Sequence, residues 1–139
     1  MNFTTRITIS PSQSNEIGTT QLLPYGTEAV TRDGRRFRYV GAGAVALIPG
    51  TMLQSPLQIA NHQNCAVQTA YALGDLTLSI TLGATAATAN QYAEGLITIY
   101  DSTSKGYQFG VKSHPAASGS ATLALTLYPD DLPQVALAV

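Results

Sequence analysis

Apolar and polar residues alternate along several short stretches of the chain, and a period of two is the pattern of a β-strand with one buried face. The alternation is clearest where four aliphatic residues, Leu76 to Leu82, are interleaved with Thr and Ser. The stretches that show it are residues 3–9, 76–82, 96–100, 107–113 and 122–127. Gly-, Pro- and Ser-rich segments separate them. The pattern predicts an all-β fold, an antiparallel sandwich or small barrel with long loops and little helix.

Other segments are less regular. Residues 65–72 fit a short strand, with a helix over 65–73 as the alternative, and residues 84–95 fit a loop or one helical turn. Residues 134–139, QVALAV, fit a final strand or a tail. A polar and weakly patterned N-terminus predicts a strand or arm over residues 1–25, followed by a β domain over residues 26–139.

A β-hairpin is predicted around Asp33-Gly34, which lies between two alternating runs. A two-residue turn at this dipeptide would place Val30 opposite Phe37, with Tyr39 on the same face. The opposite face would carry Ala29, Thr31, Arg36 and Arg38.

Composition adds to this prediction. The 139 residues suffice for one domain, and 11% of them are charged, against about 25% in a typical globular domain. A surface of small uncharged residues suits a protein packed against other subunits, although secreted binding modules share it. The net charge of −1 argues against global attraction to nucleic acid or to membrane surfaces. No leader-like N-terminus and no apolar run of about 18 residues is evident, so we expect synthesis in a cytosol.

Motifs that carry chemistry are missing from the sequence. Cys65 is the only cysteine, which excludes an internal disulfide and suggests a small buried apolar residue. His62 and Cys65 are spaced i, i+3, which is a weak metal signal without a further ligand motif. Ser113 and His114 would point to opposite faces of a strand, so the histidine could not activate the serine. We therefore expect no enzyme activity, no cofactor and no metal.

Positive charge is concentrated in the hairpin. Four of the seven basic residues lie within seven positions: Arg32, Arg35, Arg36 and Arg38. They suit a solvated turn, phosphates of a nucleic acid, or carboxylates of a protein partner. The rest of the chain offers little basic surface, which argues against nucleic acid. These four arginines are our candidate partner-binding residues.

Four segments, VTRDGRRFRYVGAGAVALIPGTMLQSP, NHQN, TLGATAATANQYAEGLITIYD and GYQFGVKSHPAA, together resemble small virion structural proteins of tailed bacteriophages, of the capsid decoration or cement type. The resemblance covers roughly residues 25–130 and is one of overall pattern, so no functional residue is carried over. It implies a structural virion protein that bridges and stabilises capsid subunits. The implied partners are the major capsid protein and further copies of the chain, as a homotrimer. The implied location is the capsid surface, after synthesis in the host cytoplasm.

Two other functions remain open at this point. One is a carbohydrate- or receptor-binding β module on the virion surface, for which Tyr92 near Asn90 is the only hint. The other is a tail-tube or head–tail connector protein, which would form a ring. Under the decoration hypothesis, the arginine hairpin docks onto acidic groups of a neighbouring capsid or cement subunit.

Overall fold

The computed structural model describes residues 6–48, 50–52, 54–100 and 105–130. Two compact units are present, an N-terminal unit within Asn2–Ser55 and a C-terminal unit from Pro56 onward. The chain thus divides after Ser55 rather than after residue 25, because the first strand lies in one sheet with the hairpin. The strands are β1 (Ile7–Ile9), β2 (Glu28–Thr31), β3 (Arg36–Arg38), β4 (Thr77–Thr81), β5 (Leu96–Thr98), β6 (Gln108–Ser113) and β7 (Thr122–Leu127).

The all-β prediction is confirmed. Within the described ranges, the helical elements are two short 3₁₀ turns, Gln13–Asn15 and Ala60–His62. Residues 65–73 form neither the predicted strand nor the alternative helix, and residues 84–95 form turns. The predicted final strand or tail at 134–139 lies outside the described residues.

The N-terminal unit contains a three-stranded sheet in the order β1-β2-β3, with β1 and β2 parallel and β2 and β3 antiparallel. Residues on one face alternate with those on the other. Ala29 and Thr31 on β2 are buried, whereas Thr8, Arg36 and Arg38 on the opposite face are exposed. The buried residues of the described part of this unit are small (Thr27, Ala29 and Thr31), so its apolar core is slight.

The predicted hairpin is present, but the predicted two-residue turn is wrong. The Gly34 N–H donates to the Thr31 carbonyl over 2.9 Å, and the Thr31 N–H donates to the Arg35 carbonyl over 3.0 Å. The loop therefore has three residues, Arg32 to Gly34, with Gly34 in the left-handed region at φ 85°. This is the turn followed by a bulge that three-residue hairpin loops favour.

The longer loop shifts the strand register by one residue. Val30 lies opposite Arg36, and Ala29 lies opposite Phe37. Contrary to the prediction, Val30 shares the outer face with Arg36 and Arg38, because residues directly opposite each other in an antiparallel pair point to the same side. The placement of these two arginines away from Phe37 is confirmed.

Substitution of Gly34 by Val should destabilise the hairpin by about 1–3 kcal/mol, because a β-branched residue strongly resists a positive φ. Gly18→Val is the matched control, since Gly18 has no positive φ and only one ordinary contact near its missing Cβ. Thermal unfolding followed by far-ultraviolet circular dichroism measures both. Equal melting temperatures for the two variants would contradict the loop assignment.

The C-terminal unit contains a four-stranded antiparallel sheet in the order β4-β7-β6-β5, curled into a half-barrel. The strand predictions at 76–82, 96–100, 107–113 and 122–127 fall on these strands. Their alternating apolar residues form one buried cluster, which includes Leu78, Ile80, Phe109, Val111, Leu123, Leu125 and Leu127.

The outer edge of β4 is covered by residues 66–68. The Gln68 N–H donates to the Ser79 carbonyl, and the Thr81 N–H donates to the Ala66 carbonyl, each over 2.9 Å. Only one isolated bridge, Val67 to Ile80, is formed there among the described residues. The segment predicted as a strand at 65–72 thus contributes a brief edge contact instead.

Candidate partner-binding surface

Arg36 and Arg38 project from the outer face of the N-terminal sheet, two residues apart on β3. Glu28 lies opposite Arg38 on the neighbouring strand β2, so its carboxylate reaches the same face. Arg6, directly before β1, reaches Glu28 from the other side. The sheet therefore gathers three arginines around one carboxylate.

The three arginines lie at different distances from the Glu28 carboxylate. The Arg6 guanidinium donates to Oε1 over 2.9 Å, whereas Arg36 and Arg38 stand 3.7 and 3.8 Å from the carboxylate oxygens. The hydrogen bond from Arg6, followed by the charges of all three arginines, lowers the pKa of Glu28 below its ordinary value. One negative charge opposite three positive charges leaves this face cationic.

The tip of the hairpin is closed by its own side chains. Asp33 accepts hydrogen bonds from the Thr31 hydroxyl and from Arg35 Nε, the latter over 2.8 Å. These bonds, that of Thr31 first, lower the pKa of Asp33. The Arg35 guanidinium also lies 5.8 Å from the ring centre of Phe37. Arg35 is thus engaged in holding the turn.

The four predicted site residues consequently differ in their availability. Arg35 binds Asp33, and Arg38 donates to the Gly26 carbonyl over 2.8 Å besides facing Glu28. Arg36 has only its long contact to Glu28, and Arg32 makes no hydrogen bond or ion pair within the described residues. Arg32 and Arg36 are the members best placed to meet an external carboxylate.

Charge is divided unevenly between the two units. The N-terminal unit has five arginines and three carboxylates, whereas the remainder of the chain has two lysines and five carboxylates. The net charge of the whole chain is therefore low although its N-terminal unit is basic. A partner that presents carboxylates would meet the arginine face favourably.

A second group of polar residues lies in the C-terminal unit, and their contact with one another is not predicted from the sequence. The Tyr92 hydroxyl is hydrogen-bonded to Nδ1 of His62, and Nε2 of His62 donates to the Thr85 carbonyl over 2.9 Å. The Tyr92 N–H donates to Nε2 of His114 over 2.9 Å, and Nδ1 of His114 donates to the Pro115 carbonyl over 2.8 Å. Both imidazoles have both nitrogens engaged.

The same cluster ties three chain segments together. The His114 N–H donates to the Asn90 side chain over 3.0 Å, and the rings of Tyr92 and His114 stack with centres 5.7 Å apart. His114 is buried and directly follows β6. With both imidazoles and the Tyr92 hydroxyl bonded within the cluster, its evident role is to hold the loop before β5 against the sheet. The Tyr92–Asn90 pair is likewise engaged rather than presented for stacking on a sugar.

A cavity of about 690 Å³ opens beside this cluster, within the C-terminal unit. One wall is β5 and the following Tyr100, the other is residues 64–67, and the floor is apolar side chains of β4, β6 and β7. Cys65 lies on the second wall, is partly buried, and has a thiol pKa raised by that burial.

The described residues show no group of three His, Cys, Asp or Glu side chains arranged to hold a metal ion. A search of the same residues finds no helix with the length and apolarity needed to cross a membrane.

Comparison of the chain with protein-family models, with curated proteins and with solved structures found no match in any of the three.

Proposed function

We propose that the protein is a structural virion protein that decorates a phage capsid lattice and stabilises it by bridging capsid subunits. The proposal starts from the sequence resemblance. It is carried by one structural observation, the large apolar side chains that the N-terminal unit leaves exposed.

These exposed side chains lie outside the small sheet. Ile17 and Met52 are 97% and 99% exposed, and Leu22 is 81% exposed. Large apolar side chains that are this exposed, on a unit with so slight a core, favour a working state of the protein in which they are covered. In a subunit that stays bound to a particle, the particle surface covers such side chains.

Bridging would give modest contacts a large combined effect. A protein that holds two capsid subunits at once rebinds the second contact at a high effective concentration, so loss of one contact does not release it. Binding to the assembled lattice also stabilises that lattice by linkage. The arginine face would add oriented contacts to carboxylates, each about 1.5–3 kcal/mol where water is excluded.

We expect the double substitution Arg36→Ala and Arg38→Ala to lower the occupancy of the protein on purified particles while leaving its fold intact. Both side chains lie on the outer face of β3 and are exposed, and their pairing with Glu28 is long. The hydrogen bond from Arg38 to the Gly26 carbonyl is exposed to solvent, so its loss should cost little stability. Occupancy is measured by quantitative gel densitometry against the capsid protein, with circular dichroism as the folding control.

The matched control is the double substitution Lys105→Ala and Lys112→Ala, which removes the same charge from exposed positions of the C-terminal unit. Equal occupancy of the two double variants would show that the hairpin has no special docking role. Absence of the unmodified protein from particles would refute the virion proposal, and its recovery with purified tails would support the tail-tube or connector alternative.

A further inference from the structure

Residues 42–48, AGAVALI, form an apolar segment that has the sequence of a buried strand but not the surroundings of one. All seven residues are apolar or glycine, so both faces of an extended chain would be apolar, as in strands covered on both sides. In the structure all seven are exposed, Val45 to 77%. Among the described residues, no hydrogen bond is made by the backbone of residues 42–47.

The C-terminal sheet offers a complementary edge. Ile97 lies opposite Phe109, and the Ile99 N–H donates to the Tyr107 carbonyl over 2.9 Å. In an antiparallel pair, alternate residues bond to the neighbour, so the backbone groups of Leu96 and Thr98 point away from β6. No strand of the described chain pairs with that side of β5.

The cavity lies along this same edge. Its lining includes the partly buried Val67 and Ile97 and the exposed Tyr100, so a strand placed beside β5 would lay alternate side chains on apolar surface. Unpaired backbone donors and acceptors along one wall recognise a polypeptide strand, which supplies matching groups, and have no counterpart on a hydrocarbon ligand.

We propose that residues 42–48 of one copy of the chain add as a strand to the free edge of β5 in a second copy and place their apolar side chains in its cavity. Each chain carries both the inserting segment, residues 42–48 (the donor), and the edge that receives it, β5 (the acceptor). Within the described chain, the backbone of residues 42–47 of the donor lacks hydrogen-bond partners and its side chains lack an apolar cover, and the acceptor edge and its cavity supply both. The absence of charge in the segment and its small Ala and Gly residues suit close backbone approach in an apolar cavity.

Such a contact is heterologous, because the two copies contribute different surfaces. Repeated contacts of this kind close into a ring or extend as a filament, and the expected homotrimer would be a closed ring of three. The inference goes beyond the proposed function and holds with or without a capsid.

The donor is tested by Val45→Asp, which should convert the oligomer to monomer because a charge cannot enter the apolar cavity without a partner. Val45 is exposed in the single chain, so its fold should be unchanged. Met52→Asp places the same charge at a still more exposed apolar position outside the segment, and it should retain the oligomer. Light scattering after size-exclusion chromatography measures the mass.

The acceptor is tested by Thr98→Pro, which removes the edge-facing N–H without taking a hydrogen bond from the pairing of β5 with β6. Thr98→Ala is the matched control, since it removes the same side chain and keeps the N–H. Thr98→Pro should be monomeric and Thr98→Ala oligomeric.

Mixing the two monomeric variants separates this arrangement from others. Val45→Asp keeps an intact acceptor and Thr98→Pro keeps an intact donor, so the mixture should form a one-to-one dimer and nothing larger. A monomeric unmodified protein, oligomers unaffected by either variant, or a mixture that stays monomeric would each overturn the inference. None of these measurements uses particles, so failure here is distinct from failure of the virion proposal.

Discussion

Substitution of Leu123 by Ala should lower the free energy of unfolding of the C-terminal unit by about 2–5 kcal/mol. Leu123 is 0% exposed and lies on β7, opposite Ile80 of β4. Truncation removes apolar contacts and leaves a void that close-packed neighbours fill only in part. A loss of this size is a large fraction of the 5–15 kcal/mol (roughly) that stabilises a typical domain.

Urea unfolding followed by tyrosine fluorescence measures this effect, since the chain has seven Tyr and no Trp. Leu57→Ala is the matched control, because Leu57 is 86% exposed and should change stability by no more than about 0.5 kcal/mol. A Leu123→Ala protein as stable as the control would mean that β7 does not occupy the centre of the core.

Substitution of His114 by Ala should be nearly as damaging. The Tyr92 N–H would lose its acceptor in a partly buried position, and a donor left unsatisfied away from water costs about 1–3 kcal/mol. Loss of the imidazole stacked on Tyr92 adds a void in a buried position. The loop before β5 would keep its bonds to the His114 backbone but lose the side-chain contacts that hold Tyr92 to the end of β6.

His62→Ala is the comparison for this prediction. His62 is only partly buried and bonds the Tyr92 hydroxyl, which water can reach and solvate once the imidazole is gone. We expect its loss to cost clearly less than the loss of His114 in the same urea experiment. Equal effects, or a greater effect of His62→Ala, would contradict the hydrogen-bond assignment around Tyr92.

The strands of the C-terminal sheet could be predicted because each buries one face. Alternation at Leu78 and Ile80 is a local signal that the neighbouring sequence does not alter. The hairpin register could not be predicted in the same way, because a left-handed Gly34 suits both a two-residue and a three-residue loop. The structure has the longer loop, and side-chain bonds among Thr31, Asp33 and Arg35 close it.

The contacts of the arginines could not be predicted from local sequence patterns, for a different reason. The predicted partner of these arginines is a carboxylate on another subunit, yet Glu28 of the same chain faces Arg36 and Arg38. Arg6 joins them because β1 pairs in parallel with β2, a contact between segments separated by a long connection. The Tyr92 cluster is similar, since no spacing rule indicates that His62 and His114 meet the same tyrosine.

The position of β7 in the sheet has a consequence for biosynthesis. β7 is the last strand of the described chain, yet it lies between β4 and β6 and joins them. While translation proceeds, β6 can pair only with β5, and β4 has only the brief contact with residues 66–68. The core therefore closes only after residues 122–127 have left the ribosome, and until then the earlier strands of this unit lack the strand that joins them.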